Sequence, residues 1–236
     1  MSEPIFKIDK LVTKYGSLTA LKGVGFEIQQ GEIIGVLGPN GSGKTTLLET
    51  IAGTLTNNEG QILFLGQRID RLSIRDRRRL GLMLVPQERY IFPMMQVRKN
   101  LEVSGVLIPS ERVRELIDYV YSLFPVLKDR QTQSAHTMSG GQQKMIAVGI
   151  GLLSDAKLLM IDEPSIGLAP KLVTKLFDNL QKIREETSKT LLLAEQNVKI
   201  LRIADRIIGL ESGEVKFIEK SSDLNEKTLE ELYLGQ

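Results

Sequence analysis

The chain has 236 residues, 42% of them hydrophobic, enough for one large globular domain with a sizeable core. Its 31 lysines and arginines stand against 29 acids, and the formal charge of +2 is too near balance to announce a nucleic-acid surface. Cysteine is absent, which excludes disulfides and thiolate metal centres and agrees with a reducing compartment, while the opening MSEPIFKIDK lacks the apolar stretch of a secretory leader and no run approaches the about 18–20 apolar residues that span a bilayer.

FKIDKLVTKYG and GVGFEIQQGEIIGVLG carry short alternating or β-branched runs between glycines and predict strands joined by turns. The next stretch, GPNGSGKTT, places Gly38, Pro39, Asn40, Gly41, Ser42, Gly43, Lys44, Thr45 and Thr46 in the phosphate-loop pattern, followed by a predicted helix, KTTLLETIAGTL. Glycines let backbone N–H groups turn onto phosphates, Lys44 supplies charge to the outer ones, and Thr45 offers a hydroxyl to Mg²⁺. RIDRLSIRDRRR, residues 68–79, is strongly basic and reads as a solvated face, with anionic lipid or a partner as the alternative.

After LVPQ, ending in Gln87, comes RYIFPMMQV, where Tyr90, Ile91, Phe92, Met94 and Met95 are unusually apolar for a connection. They either fill the core or line a groove for a partner's short helix. In SERVRELIDYVYSLF, Val113, Leu116, Ile117, Val120 and Phe124 recur at helical spacing with Ser110 as N-cap, which predicts a helical insertion. MSGGQQ then sets Ser139, Gly140, Gly141 and Gln142 at the start of another helix, a second cradle for an anion, and the single histidine, His136, before it reads as a surface residue.

KLLMIDEP is an apolar strand ending in Asp162, able to hold Mg²⁺, and Glu163, able to polarise a water for attack on a γ-phosphate. PKLVTKLFDNLQKIREE predicts a helix with Leu172, Leu176, Leu180 and Ile183 on one face, and TLLLAEQN a strand ending in Glu195, Gln196 and Asn197, each able to reach an ion or a phosphate. RIIGLESGEV supplies a further strand. Strands alternating with helices imply a mostly parallel sheet covered on both sides, and the absence of any Asn-Lys-X-Asp argues against guanine.

Two anion cradles far apart in sequence, GPNGSGKT and MSGGQQ, together resemble the ATP-binding cassette (ABC) ATPases, from about residue 5 to the end. The resemblance implies an α/β fold: a P-loop NTPase (RecA-like) core with a mostly parallel sheet, an N-terminal antiparallel β subdomain and an inserted α-helical subdomain. It divides the single nucleotide-binding domain, 1–236, into core and β parts at about 1–87 and 143–236 and a helical part at about 88–142. It implies ATP and Mg²⁺ as cofactors, Tyr15 stacked on adenine, Gln87 reaching metal beside Thr45 and Asp162, and Ser139 to Gln142 closing over the ATP of a second subunit. The partners implied are a homodimer or a heterodimer with another ABC ATPase, membrane permease subunits and a solute-binding protein, with no nucleic acid; the place implied is cytoplasmic, peripheral on the inner face of the cell membrane.

A narrower likeness lies in TMSGGQQ, IDEPSIGLAP, AEQN and the ending LYLGQ, which together look like the ATPase subunits of importers for branched-chain and other hydrophobic amino acids. In that branch Gln196 is common where most of the superfamily has histidine; it donates a hydrogen bond but carries no charge. Ala169 stands where the family usually has an aspartate. The alternatives are the motor of a lipid or lipopolysaccharide exporter and, less favoured, an ABC ATPase acting on ribosome or DNA, whose long coiled coil or second cassette this sequence lacks.

Overall fold

A computed structural model of the chain describes residues 3–88, 90–106 and 108–234; Arg89 and the Gly235 and Gln236 of the terminal motif lie outside the described residues. In chain order the elements are β1 Phe6–Tyr15, β2 Leu18–Ile28, β3 Ile33–Leu37, α1 Lys44–Ala52, β4 Glu59–Phe64, β5 Gln67–Arg68, α2 Ile74–Leu80 and β6 Leu82–Val85. Four helices follow without a strand: α3 Val97–Ser104, α4 Ser110–Leu123, α5 Pro125–Asp129 and α6 Gly140–Leu153. The chain then returns to alternation with β7 Leu158–Asp162, α7 Pro170–Thr187, β8 Thr190–Glu195, β9 Arg206–Glu211, β10 Glu214–Lys220 and α8 Glu226–Leu234.

Two sheets result. β2-β1-β4-β5 is antiparallel, whereas β10-β9-β3-β8-β7-β6 is parallel except for its edge strand β10. The central strands β3, β7 and β8 are buried at every residue, as continuous apolar runs covered on both faces require. On one face α1 and the antiparallel sheet enclose Leu47, Ile51, Phe6, Phe26 and Phe64; on the other, α4, α6 and α7 bring Val120, Ile146, Leu176 and Leu180 against the parallel sheet. This is the mixed architecture expected from the sequence.

Two local expectations are corrected. α4 begins at Ser110 itself, with Pro109 at the cap position and no side-chain cap, because proline's fixed φ suits a helix entrance. The basic stretch is not one solvated face: Arg77 is 2% exposed and donates to the carbonyls of Thr50, Ile51, Asp70 and Leu72. A guanidinium with five donors thereby satisfies the orphan carbonyls at the end of α1.

Candidate active site

Five parallel strands end at the carboxyl edge of this sheet, and register decides which of the residues that follow them meet. Leu37 lies across from Glu195 and Asp162 from Ala194, so the loop after β3, the carboxylates after β7 and the polar run after β8 emerge at one level. Val85 pairs with Ile161, which brings in Gln87. Open α/β sheets hold ligands in this crevice.

The phosphate loop is shaped by close backbone packing. A Cβ at Gly38 would collide with the Leu210 carbonyl oxygen, and Gly43, the N-cap of α1, has φ 106°, which side chains rarely adopt. Lys44, 4% exposed, donates to the Gly38 and Pro39 carbonyls at 2.9 and 3.0 Å and lies 3.6 Å from Glu163 Oε1. Burial lowers its pKa, against the opposing charges of Glu163 and Asp162. These interactions hold the ammonium where an anion seated on the loop can exchange for them.

Asp162 is raised in pKa by burial, which outweighs the hydrogen bond from Thr45 Oγ1 to its Oδ2 at 2.8 Å. Its other oxygen, Oδ1, is buried without a hydrogen-bond partner. An unpartnered acceptor beside a threonine hydroxyl fits a hard cation. No group of three or more His, Cys, Asp or Glu among the described residues could hold a metal alone, so a Mg²⁺ here would draw further ligands from phosphate oxygens.

Glu163 is 7% exposed and adopts φ 44°, the left-handed region that costs a non-glycine residue about 1–3 kcal/mol and is most often kept at functional sites. Its N–H donates to the Ala194 carbonyl at 2.8 Å. The cleft in front of it has a volume of about 720 Å³ and is lined by Tyr15, Lys44, Thr45, Thr46, Gln87 and Glu163 among others. Tyr15 stands at the mouth, 46% exposed, its hydroxyl 3.4 Å from Thr46 Oγ1, so its ring is available for stacking.

Of the three polar residues at the end of β8, Gln196 is the most open to solvent. Glu195 is 2% exposed and accepts from Ser165 and Asn197, and the Asn197 side chain accepts from Lys199 N–H. Gln196 is exposed and lines a second cavity of about 590 Å³ that shares Glu163 and Ile166 with the first. The expectation that each could reach a phosphate therefore narrows to Gln196 and the side-chain amide N–H of Asn197, which lines the same cavity.

The Ser139–Gln142 segment does not line the cleft of its own phosphate loop; Gly140 instead borders a cavity with Gln87, Lys144 and Gly167. Ser139 N-caps α6 and forms a capping box with Gln142, while Ser139 and Gly140 remain exposed. Within one chain the two anion cradles thus border different cavities, which share Gln87 and Ile166.

Three residues that sequence reasoning missed complete the site. Lys144, 9% exposed, donates to the Gln87 carbonyl at 3.0 Å, tying α6 to the loop after β6; a lone lysine in an apolar helix was its signal. Ser165 donates twice to Glu195, and Tyr233 of α8 donates to the Gln196 carbonyl at 2.7 Å. Exposed His136 is tied to Pro93 through its N–H at 2.8 Å, and Ala135 N–H donates to Met95 at 2.9 Å, so the segment before the second cradle is bonded to the apolar segment after Gln87.

A phosphate loop at a helix N-terminus, facing strand-end carboxylates across a mostly parallel sheet, defines a phosphate-loop nucleoside triphosphatase. The family model described as ABC transporter matches residues 21–166. The chain is 37% identical over 233 residues to the high-affinity branched-chain amino acid transport ATP-binding protein BraG of Pseudomonas aeruginosa, covering 98% of this chain and 100% of that one. It is also 37% identical over 228 residues to the probable branched-chain amino acid transport ATP-binding protein LivF of Archaeoglobus fulgidus, covering 96% and 97%. Among solved structures, a dimeric bacterial ABC transporter cassette matches with TM-score 0.83 at 25% identity over 92% of this chain and 98% of that one. The chain belongs to the ABC transporter family and is an ATPase of that family, with adenine nucleotide as its ligand.

Proposed function

We propose that this chain is the ATP-hydrolysing subunit of a membrane importer for branched-chain or other hydrophobic amino acids. The observation that carries the mechanism is the separation of the two cradles: the phosphate-loop cleft and the Ser139–Gln142 helix start border different cavities. Both can engage one nucleotide when two subunits meet head to tail, so the working unit is a dimer with two composite sites. Gly38 to Thr46 bind the phosphates, and Tyr15 stacks on adenine. Thr45, Asp162 and Gln87 would hold Mg²⁺, which would screen phosphate charge when bound. Glu163 takes the proton of the attacking water, and Gln196 donates to the γ-phosphate.

Among the described residues no helix is long and apolar enough to cross a membrane, so translocation falls to permease subunits, with a solute-binding protein delivering cargo. The subunit then works on the cytoplasmic face. Met94 and Phe92, 77% and 52% exposed, favour a site for a permease helix at that end of the segment, while Tyr90 and Ile91 pack against the core. The helical part at about 88–142 carries both this site and the second cradle, and the bonds from Ala135 and His136 to Met95 and Pro93 connect them. The cargo class rests on the near full-length likeness to BraG and LivF. Uptake of labelled leucine by vesicles bearing the cognate permease and solute-binding protein tests it: ATP-dependent accumulation is expected, and ATP turnover stimulated by lipid but not by amino acid would instead favour an exporter.

A further inference from the structure

We propose that Glu195 is a positioning residue that fixes Glu163 and Gln196 together, through a buried carboxylate shared by the two loops that carry them. This rests on the ATPase reading above. Glu195 ends β8 at 2% exposure. Its Oε1 accepts the Ser165 N–H at 2.8 Å, and its Oε2 accepts the Ser165 hydroxyl at 2.8 Å and the Asn197 N–H at 3.3 Å.

Each bond restrains a neighbour of a reacting side chain. Ser165 lies two residues after Glu163, in a turn closed by the Ile166 N–H on the Glu163 carbonyl at 3.3 Å, while the Glu163 N–H is held by Ala194 at 2.8 Å. The strained φ of 44° at Glu163 is therefore held from both sides by residues 194 and 195. On the other loop, the Asn197 bond spans Gln196, whose carbonyl accepts from Tyr233. Two side chains that follow different strands are thus set against each other by one group. Burial and the nearby Glu163 charge raise the Glu195 pKa, against the Ser165 and Asn197 donors, a burden that a group serving packing alone could avoid as glutamine.

The acceptor count makes a sharp test. A carboxylate accepts at both oxygens, whereas the amide in Glu195→Gln must turn its NH₂ toward either the Ser165 or the Asn197 N–H. Steady-state Mg-ATP turnover of the full chain, with its permease, is measured for the parent, Glu195→Gln, Ser165→Ala and the double variant, with ATP KM and Tm alongside. Turnover is expected to fall about 10–100-fold in Glu195→Gln and about 3–10-fold in Ser165→Ala, with KM within about twofold of the parent and the double no worse than Glu195→Gln, since both remove one link. Parent-like kcat in Glu195→Gln, strictly multiplicative losses, or a rise in KM that tracks a fall in Tm overturns the proposal. Should Glu195→Gln not fold, Ser165→Ala decides alone, a parent-like kcat overturning it. A parent without ATP turnover overturns the underlying ATPase reading instead, so the two failures are distinguishable.

Discussion

Replacing Gln196 by alanine isolates the contribution of one donor to the transition state. The side chain is exposed, and the bonds around it run through its backbone carbonyl and its neighbours, which an alanine leaves in place. Tm should therefore stay within about 1–2 °C of the parent, as for surface substitutions worth less than ~0.5 kcal/mol. Loss of one preorganised donor costs about 2–4 kcal/mol of transition-state stabilisation, a fall of about 30- to 900-fold in kcat at 25 °C. Gln196→His keeps a donor and adds a group titrating near ~6.5, so it should retain turnover and gain a pH dependence there that the parent lacks. The assay is kcat against pH for the three proteins with the permease present. Turnover in Gln196→Ala within about twofold of the parent would refute the assignment and point to the Asn197 side-chain amide, which lines the same cavity, as the donor instead.

Tyr233→Phe removes the 2.7 Å bond to the Gln196 carbonyl, and since burial and then the Glu195 charge push that phenol up to about 12, it is a donor throughout the neutral range. The expected loss is about 2–10-fold in kcat with ATP KM unchanged, from the ~0.5–1.5 kcal/mol of one hydrogen bond, measured by steady-state kinetics. Because burial raises Asp162, the folded chain binds its proton more tightly than the unfolded one; that stability is full below the unfolded pKa of about 4 and is lost as pH rises through the folded value. In EDTA, Asp162→Asn should therefore melt above the parent at about pH 8, with the gap closing toward pH ~4 in calorimetric scans. Met94→Glu alters a side chain 77% exposed, so folding and basal turnover should match the parent while permease stimulation is lost in reconstituted vesicles; equal loss of basal turnover would point back to a core role.

The parts legible in the sequence were those whose chemistry is written in adjacent residues. GPNGSGKT needs its glycines because Gly38 abuts Leu210 and Gly43 turns left-handed, and KLLMIDEP announces a buried strand with acids at its end. Tyr15 and Gln87 were found through family likeness, and the Ser139–Gln142 segment was legible as a helix start while its place over a second subunit's ATP came from that likeness; the cleft brings the first two beside the phosphate loop and leaves the third outside it. What stayed hidden are partners joined across the fold. The pairs Arg77 with Thr50, Lys144 with Gln87, Ser165 with Glu195 and Tyr233 with Gln196 lie 27, 57, 30 and 37 residues apart, and only the order of strands in the sheet and the packing of helices on it bring them together. Arg77 is instructive because a run of arginines reads as solvent-facing until a helix end offers it carbonyls.

Glu163→Gln, studied by size-exclusion chromatography with light scattering and by bound-nucleotide analysis in Mg-ATP, tests the composite two-subunit site most directly. The account predicts a species of twice the monomer mass holding two ATP, a fall of about 10²–10⁴-fold in hydrolysis, and dispersal of that species when Ser139→Arg is added, because the second cradle is then blocked. A monomer that binds ATP and hydrolyses it at the parent rate would contradict it.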